Sequence, residues 1–259
     1  MSRFPALFLS HGAPTLAIDD SPAHHFLKGL GPELGRPQAI LVVSAHWETN
    51  VPATSAAAQP ETIYDFRGFP QALYQVRYPA PGAPALAEAA ARRLIDAGLP
   101  AAMHPSRGLD HGAWVPLVLM YPDADIPVTQ LSVQPQQDAA HHRRVGEALR
   151  GLRDEGVMIL ASGSITHNMQ AYFRGEYENA SAWVKPFVDW MADKVAAQDS
   201  RALDGWRAQA PFAVRNHPDG GEEHLLPLFV AAGASDRPGR RIFGASQIGD
   251  FNMDCYRFD

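Results

Sequence analysis

Three stretches of the chain, Ala6 to Ser10, Ala39 to Ala45 and Val157 to Ser162, are short apolar runs without the alternation of a half-exposed strand. Such runs belong to strands covered on both faces, the condition of a sheet held between two helical layers. Val128 to Val133 reads as a further strand, and Arg241 to Ile248 and Met253 to Phe258 as closing strands. Between them lie helical patterns. Leu86, Ala90, Leu94 and Ala97 share one face of a helix over 84–97 that Gly98 and Pro100 stop. Asp138 is placed to cap a helix running to about Glu155, with Val145, Leu149 and Leu152 inward and Gly156 at its end. Trp183 to Ala197 also reads as a helix, as does Leu225 to Ala232 with Gly233 past its end. Strand and helix alternate with no repeat or linker, which predicts one α/β domain over residues 1–259. Its sheet is expected to be mostly parallel or mixed and flanked by helices, with the active site at the carboxyl ends of the strands.

Those carboxyl ends carry histidines. His11 stands just past the first run, where Gly12 permits a tight turn and Pro14 stiffens the exit. His46 stands just past the second, beside Trp47 and Glu48, about one β-loop-helix-β unit later. Each alone is as well explained by a backbone carbonyl bound to the ring; together they read as two ligands of one catalytic metal. His167, in the loop that follows the third run, occupies the same topological place as a ligand or an acid-base group. His111 lies between Gly108 and Gly112 in a segment read as a loop open to a substrate. The segment from Asn216 to His224 offers His217, His224, Asp219, Glu222 and Glu223 as sources of a third ligand, although Glu222 and Glu223 also suit the positive end of the helix that follows. His24, His25, His141 and His142 are read as solvated, and His104 stays undecided.

Several function classes drop out. A net charge of −6 leaves no cationic excess for a phosphate backbone or an anionic membrane surface, so no nucleic-acid or membrane partner is expected. The apolar stretch Phe4 to Leu9 is too short for a signal peptide, and nothing reaches membrane-spanning length. Cys255 has no second cysteine to pair with and reads as an inert strand residue, which suits a cytoplasmic protein. The chain has no H-E-x-x-H, Walker A or paired C-x-x-C, and Ser162-Gly163-Ser164 does not complete a nucleophile elbow.

Six ordered strings resemble the class III extradiol ring-cleaving dioxygenases, in particular their DOPA dioxygenase-like branch, over nearly the whole chain. They are Ser10-His11-Gly12-Ala13-Pro14, Ser44-Ala45-His46-Trp47-Glu48, Tyr64 to Pro70 with Tyr78 to Gly82, Gly108 to Gly112, Ser162-Gly163-Ser164 with His167-Asn168, and Glu223-His224. The resemblance implies an oxidoreductase that uses non-haem iron(II) and O2 to open a catechol to a semialdehyde. It implies His11, His46 and His224 as metal ligands, His167 as acid-base catalyst or fourth ligand, and His111 as a catalytic residue lining the pocket. The wider superfamily uses two histidines and a carboxylate, so Glu222 or Glu223 competes with His224 for the third place. Three imidazoles suit zinc as well, and zinc is expected in some purified samples. Trp47 and the loop from Tyr64 to Tyr78 are expected to wall the substrate ring, while Arg67, Arg77 and Arg107 are candidates for anchoring its substituent. Two other functions compete: a zinc-dependent hydrolase of a small amide or ester, and a binding protein without chemistry. A homo-oligomer is compatible with the apolar closing strands.

Overall fold

The computed structural model describes residues 3–247 and 249–259. Its strands are β1 (Ala6–Ser10), β2 (Ala39–Glu48), β3 (Ala53–Ser55), β4 (Ala102–His104), β5 (Val128–Val133), β6 (Val157–Gly163), β7 (Gly239–Phe243), β8 (Ser246–Gln247), β9 (Phe251–Asn252) and β10 (Cys255–Phe258). Eight form one mixed sheet in the order β4-β3-β5-β2-β6-β1-β10-β7, and β8 pairs with β9 as a separate ribbon. At the centre, β5, β2, β6 and β1 run parallel. These are the strands with continuous apolar runs, and both their faces are covered. Ala6, Phe8, Leu41, Val43, Ile159 and Ala161 meet one helical layer, while Leu7, Leu9, Ile40, Val42, Met158 and Leu160 meet the other. Towards the edges β10 and β7 turn antiparallel.

The helices are α1 (Pro22–Leu34), α2 (Pro84–Asp96), α3 (His111–Met120), α4 (Ala139–Leu149), α5 (Met169–Phe173), α6 (Ser181–Ala196), α7 (Ser200–Asp204), α8 (Trp206–Gln209), α9 (Ala213–Asn216) and α10 (Leu226–Gly233). Helices α2, α4, α6 and α10 form one layer, and α1 and α3 the other. None of the described helices is long and apolar enough to cross a membrane. The side chain of Arg153 is buried beneath the sheet and donates to the carbonyls of Phe4, Ala234 and Phe258 at 2.6, 2.7 and 3.1 Å. One guanidinium thus ties the first strand's approach, the end of α10 and the last strand together.

Several boundaries differ from the sequence reading. Helix α3 replaces the loop expected around His111: it is buried on nearly every side, so it lacks the one-sided apolar stripe that betrays a surface helix. Helix α2 buries Ala90 and Leu94 as expected, but Ala97 caps it and is exposed. Helix α4 ends at Leu149, and a 3₁₀ turn over Arg150–Glu155 completes the connection to Gly156. The strand expected over 241–248 stops at Phe243; Ser246 and Gln247 pair with β9 instead, and Ile248 lies outside the described residues. His141 and His142 are buried rather than solvated, because the chain before α4 folds back over them. His142 donates from Nδ1 to the Asp138 carbonyl at 2.8 Å and accepts the Gln134 N–H at 3.1 Å. His24 is half-buried with Nδ1 on the Leu16 carbonyl at 2.9 Å, and of these four histidines only His25 is exposed.

Burial pushes the pKa of His142 and of His217 down to about 4, so both are neutral in the fold. Unfolding returns them to about 6.5, and between the two values the unfolded chain binds more protons. Stability is therefore expected to fall as pH drops from about 6.5 to about 4, by about 1.4 kcal/mol per pH unit for each proton taken up. Denaturant midpoints of wild type and His142→Gln at pH 7, 6 and 5 check this. The variant should lose about one proton's share of the slope, and an unchanged slope would contradict it.

Candidate metal centre

Each imidazole of the site is delivered by a local backbone feature. After β1, His11 donates its N–H to the Gly163 carbonyl at 3.1 Å, and Gly12 then turns the chain with a φ of 59°. His46 lies inside β2 rather than beyond its end. The ladder between β2 and β5 shifts register between Val43 and Glu48, and that irregularity lets His46 leave the pleat and aim at the site. His111 opens α3, whose cap is Asp110, and so projects from the helix N-terminus. His167 follows β6 and is fixed by its N–H on the Asn216 carbonyl at 3.0 Å. His224 precedes α10, and its carbonyl accepts the Ser164 N–H at 2.8 Å.

These five histidines converge although they come from five separate segments. His11 Nε2 lies 3.0 Å from His46 Nε2, which lies 3.2 Å from His224 Nε2. The ligand atoms of His11, His46 and His111 lie within 4.8 Å of one another, as do those of His167, Glu223 and His224. The His167 ring stacks on His224 with centroids 3.4 Å apart, and His111 sits over His46 at 3.9 Å.

Hydrogen bonds on the far side of each ring decide what the inward nitrogens are. His11 Nδ1 contacts Ser162 Oγ at 2.9 Å, and that hydroxyl is already committed to the Gly112 carbonyl, so the ring must donate. His224 Nδ1 donates to Glu223 Oε1 at 2.7 Å, since a carboxylate can only accept. Asp65 Oδ2 lies 3.6 Å from His46 Nδ1 and favours a proton there too. All three Nε2 atoms are left with lone pairs facing each other. Without a cation that arrangement is repulsive. Two nitrogens about 2.1 Å from one ion, at angles of about 90–100°, lie about 3.0–3.2 Å apart, so the three residues fit a metal ion.

Electrostatics agree with that fit. Burial first, then the neighbouring imidazoles, push His11 and His224 well below the usual range, and burial takes His46 down to about 4. Neutral imidazole is the metal-binding form. Burial alone would raise Asp65, but the His111 hydrogen bond and the nearby rings hold it at about 2. Glu223 is held below the usual carboxylate range by the His167 contact, against the effect of burial.

Above the imidazoles lies a cavity of about 230 Å³, walled by Phe66, Phe69, Met169, Tyr172, Gln247 and Phe251. Phe66 and Phe69 come from the loop expected to supply aromatic walls, but other members of that expectation point elsewhere. Tyr64 and Tyr78 turn into the core, donating to the carbonyls of Val76 at 2.8 Å and Tyr121 at 3.1 Å. Trp47 is buried under the Arg107 guanidinium and beside His104, away from the cavity. Arg107 pairs with Asp110 at 2.9 Å, and Arg67 and Arg77 are exposed outside the lining. Glu222 pairs with Arg207 at 2.8 Å, and His217 is buried with Nε2 on the Ile165 carbonyl at 2.7 Å. Ser162 and Asp65 lie in strings that carry the family resemblance, but neither has a role legible in the sequence, because their partners His11 and His111 lie 151 and 46 residues away.

Gly163 is the tightest backbone approach in this region. A Cβ there would lie 2.1 Å from the His224 carbonyl oxygen, so a side chain must push the His224 segment away. Gly163→Ala is expected to keep the helix content of the fold and to weaken metal binding by on the order of 10–100-fold. Far-UV circular dichroism with a zinc competition titration checks both, and wild-type affinity would count against the assigned role of His224.

Comparison with known proteins adds an independent line. The family described as the catalytic LigB subunit of aromatic ring-opening dioxygenase matches residues 5–256. A "4,5-DOPA dioxygenase extradiol" of Beta vulgaris is 44% identical over 232 residues, covering 88% of this chain and 85% of the relative. One of the same name from Escherichia coli K12 is 41% identical over 244 residues, covering 91% and 86%. Among solved structures, an uncharacterized protein from Escherichia coli K12 superposes with a TM-score of 0.79 at 32% identity, covering 99% of this chain and 100% of that one.

Proposed function

The chain belongs to the LigB family of aromatic ring-opening dioxygenases, and we propose that it cleaves a catechol beside its diol with O2, using iron(II) held by His11, His46 and His224. The observation that carries the reading is the set of three inward Nε2 atoms, 3.0 and 3.2 Å apart, at the floor of an aromatic cavity. Held by His11, His46 and His224, iron(II) would supply Lewis-acid and one-electron chemistry for the reaction of the catechol with O2. Both atoms of O2 enter the product, an open-chain semialdehyde acid.

The chain's own residues do the rest. Phe66, Phe69 and Phe251 enclose the ring and exclude water. His111 donates from Nδ1 to Asp65 at 2.9 Å, which leaves Nε2 to face the substrate. His167, with Nδ1 3.3 Å from Glu223, holds or moves a proton at Nε2 as the ring opens. The relatives named for 4,5-DOPA support a substituted catechol of that kind as substrate. A lone buried Cys255, whose thiol burial pushes up to about 12, supports work in the reducing cytosol. Zinc fits the same three nitrogens and is expected to bind in its place during purification.

A zinc hydrolase would use the same ligands, but the relatives described above are named as dioxygenases. Protein loaded anaerobically with iron(II) and then given a catechol and air separates the two. The proposal expects one O2 consumed per catechol and a yellow product; ester or amide hydrolysis without O2 uptake would overturn it.

A further inference from the structure

Five imidazoles crowd the site, and their arrangement has an internal order. They include two close pairs. His224 and His167 stack at 3.4 Å and 17°, and His46 and His111 lie at 3.9 Å and 44°. Each pair has its own carboxylate. Glu223 Oε1 lies 2.7 Å from Nδ1 of His224 and 3.3 Å from Nδ1 of His167. Asp65 Oδ1 accepts the backbone N–H and the Nδ1–H of His111 at 3.0 and 2.9 Å, while its Oδ2 stands 3.6 Å from Nδ1 of His46.

Both carboxylates are largely shielded, with side chains 22% and 16% exposed for Asp65 and Glu223. A shielded carboxylate needs a cation or donors. Among the described residues neither has a lysine or arginine partner; their ion pairs are with these imidazoles alone. The two are also built independently. Asp65 sits on a loop held to the start of α3 by the Ile63 N–H on the Leu109 carbonyl at 2.7 Å, and Glu223 sits in the turn before α10.

We propose that Asp65 and Glu223 are paired positioning residues, each clamping one inward imidazole and one cavity imidazole so that all four present Nε2 to the site. A carboxylate only accepts, so it selects the Nδ1–H form of whichever ring it contacts. In the stacked pair one oxygen serves both rings from the same side, so their Nε2 atoms emerge together on the other. Glu223 then serves the metal through His224 and the proton step through His167 without itself being a ligand. Only the kinetic consequence rests on the ring-opening function; the ring orientation does not.

Histidine ring ¹⁵N spectra of the zinc-loaded protein test the clamp without turnover. Wild type should show His111 and His167 both protonated at Nδ1; a ring bare at Nδ1 and protonated only at Nε2 overturns the proposal. Glu223→Ala should give His167 a mixture of tautomers, and Asp65→Ala should do the same for His111. Each should weaken zinc binding by on the order of 10–100-fold. Glu223→Gln and Asp65→Asn keep an acceptor oxygen and should stay within a few fold of wild type. With iron, the alanine variants should lose kcat while KM changes little. Alanine variants with wild-type ring spectra and zinc affinity would sink the clamp. If wild type turns over no catechol, the proposed function fails, and the ring spectra still decide the clamp.

Discussion

His46→Ala is expected to empty the site of metal and abolish ring opening. Its Nε2 is the middle member of the inward set, 3.0 Å from that of His11 and 3.2 Å from that of His224. Removing it leaves His11 and His224, whose ring centroids are 5.3 Å apart. Loss of a partner behind a ligand already costs about 10–100-fold in metal affinity, and loss of the ligand itself should exceed that. The side chain is only partly buried and packs little of the core, so the variant should fold. Metal analysis after dialysis, with O2 uptake on a catechol, gives the answer. A full equivalent of iron with normal turnover would remove His46 from the ligand set and the proposed mechanism with it.

His167→Ala should behave differently: metal stays and turnover falls by on the order of 10²–10⁴-fold, the range for loss of a positioned acid-base group. The ring lies flat against His224 and shares Glu223 with it, so its Nε2 faces the cavity from beside the metal position. Two rings about 2.1 Å from one ion at angles of about 90–110° would have centroids about 4.6–5.3 Å apart, wider than the 3.4 Å of this stacked pair, which favours the acid-base role. The metal content of the variant separates the roles. Retained zinc or iron with lost turnover assigns His167 to proton movement, and metal lost in step with activity makes it a fourth ligand.

Between them these variants test residues that differ in how far the sequence exposes them. His11 and His46 are visible because each terminates a run whose composition alone marks a covered strand. His224 is harder: it shares its segment with His217, Glu222 and Glu223, and only three-dimensional partners sort them. Glu222 goes to Arg207, His217 to the Ile165 carbonyl, and Glu223 to the back of two imidazoles. Trp47 and Tyr64 show the opposite failure. Both neighbour site residues in sequence, yet one lies under Arg107 and the other bonds the Val76 carbonyl.

Local pattern was enough for the parallel centre of the sheet, for the class of fold and for two histidines that follow apolar strand runs, because the period of side chains along a strand and the residues that interrupt it are local properties. The direction of a ring and the proton it carries are set by the atom behind Nδ1. For His11 that atom belongs to Ser162, 151 residues away, and the nitrogens of His46 and His224 meet across 178 residues. Tertiary structure alone therefore decided which nitrogens face one another, which carboxylates stand behind them and which aromatics close the cavity. It also decided that His141 and His142 are core residues, since burial depends on what the rest of the chain packs over them.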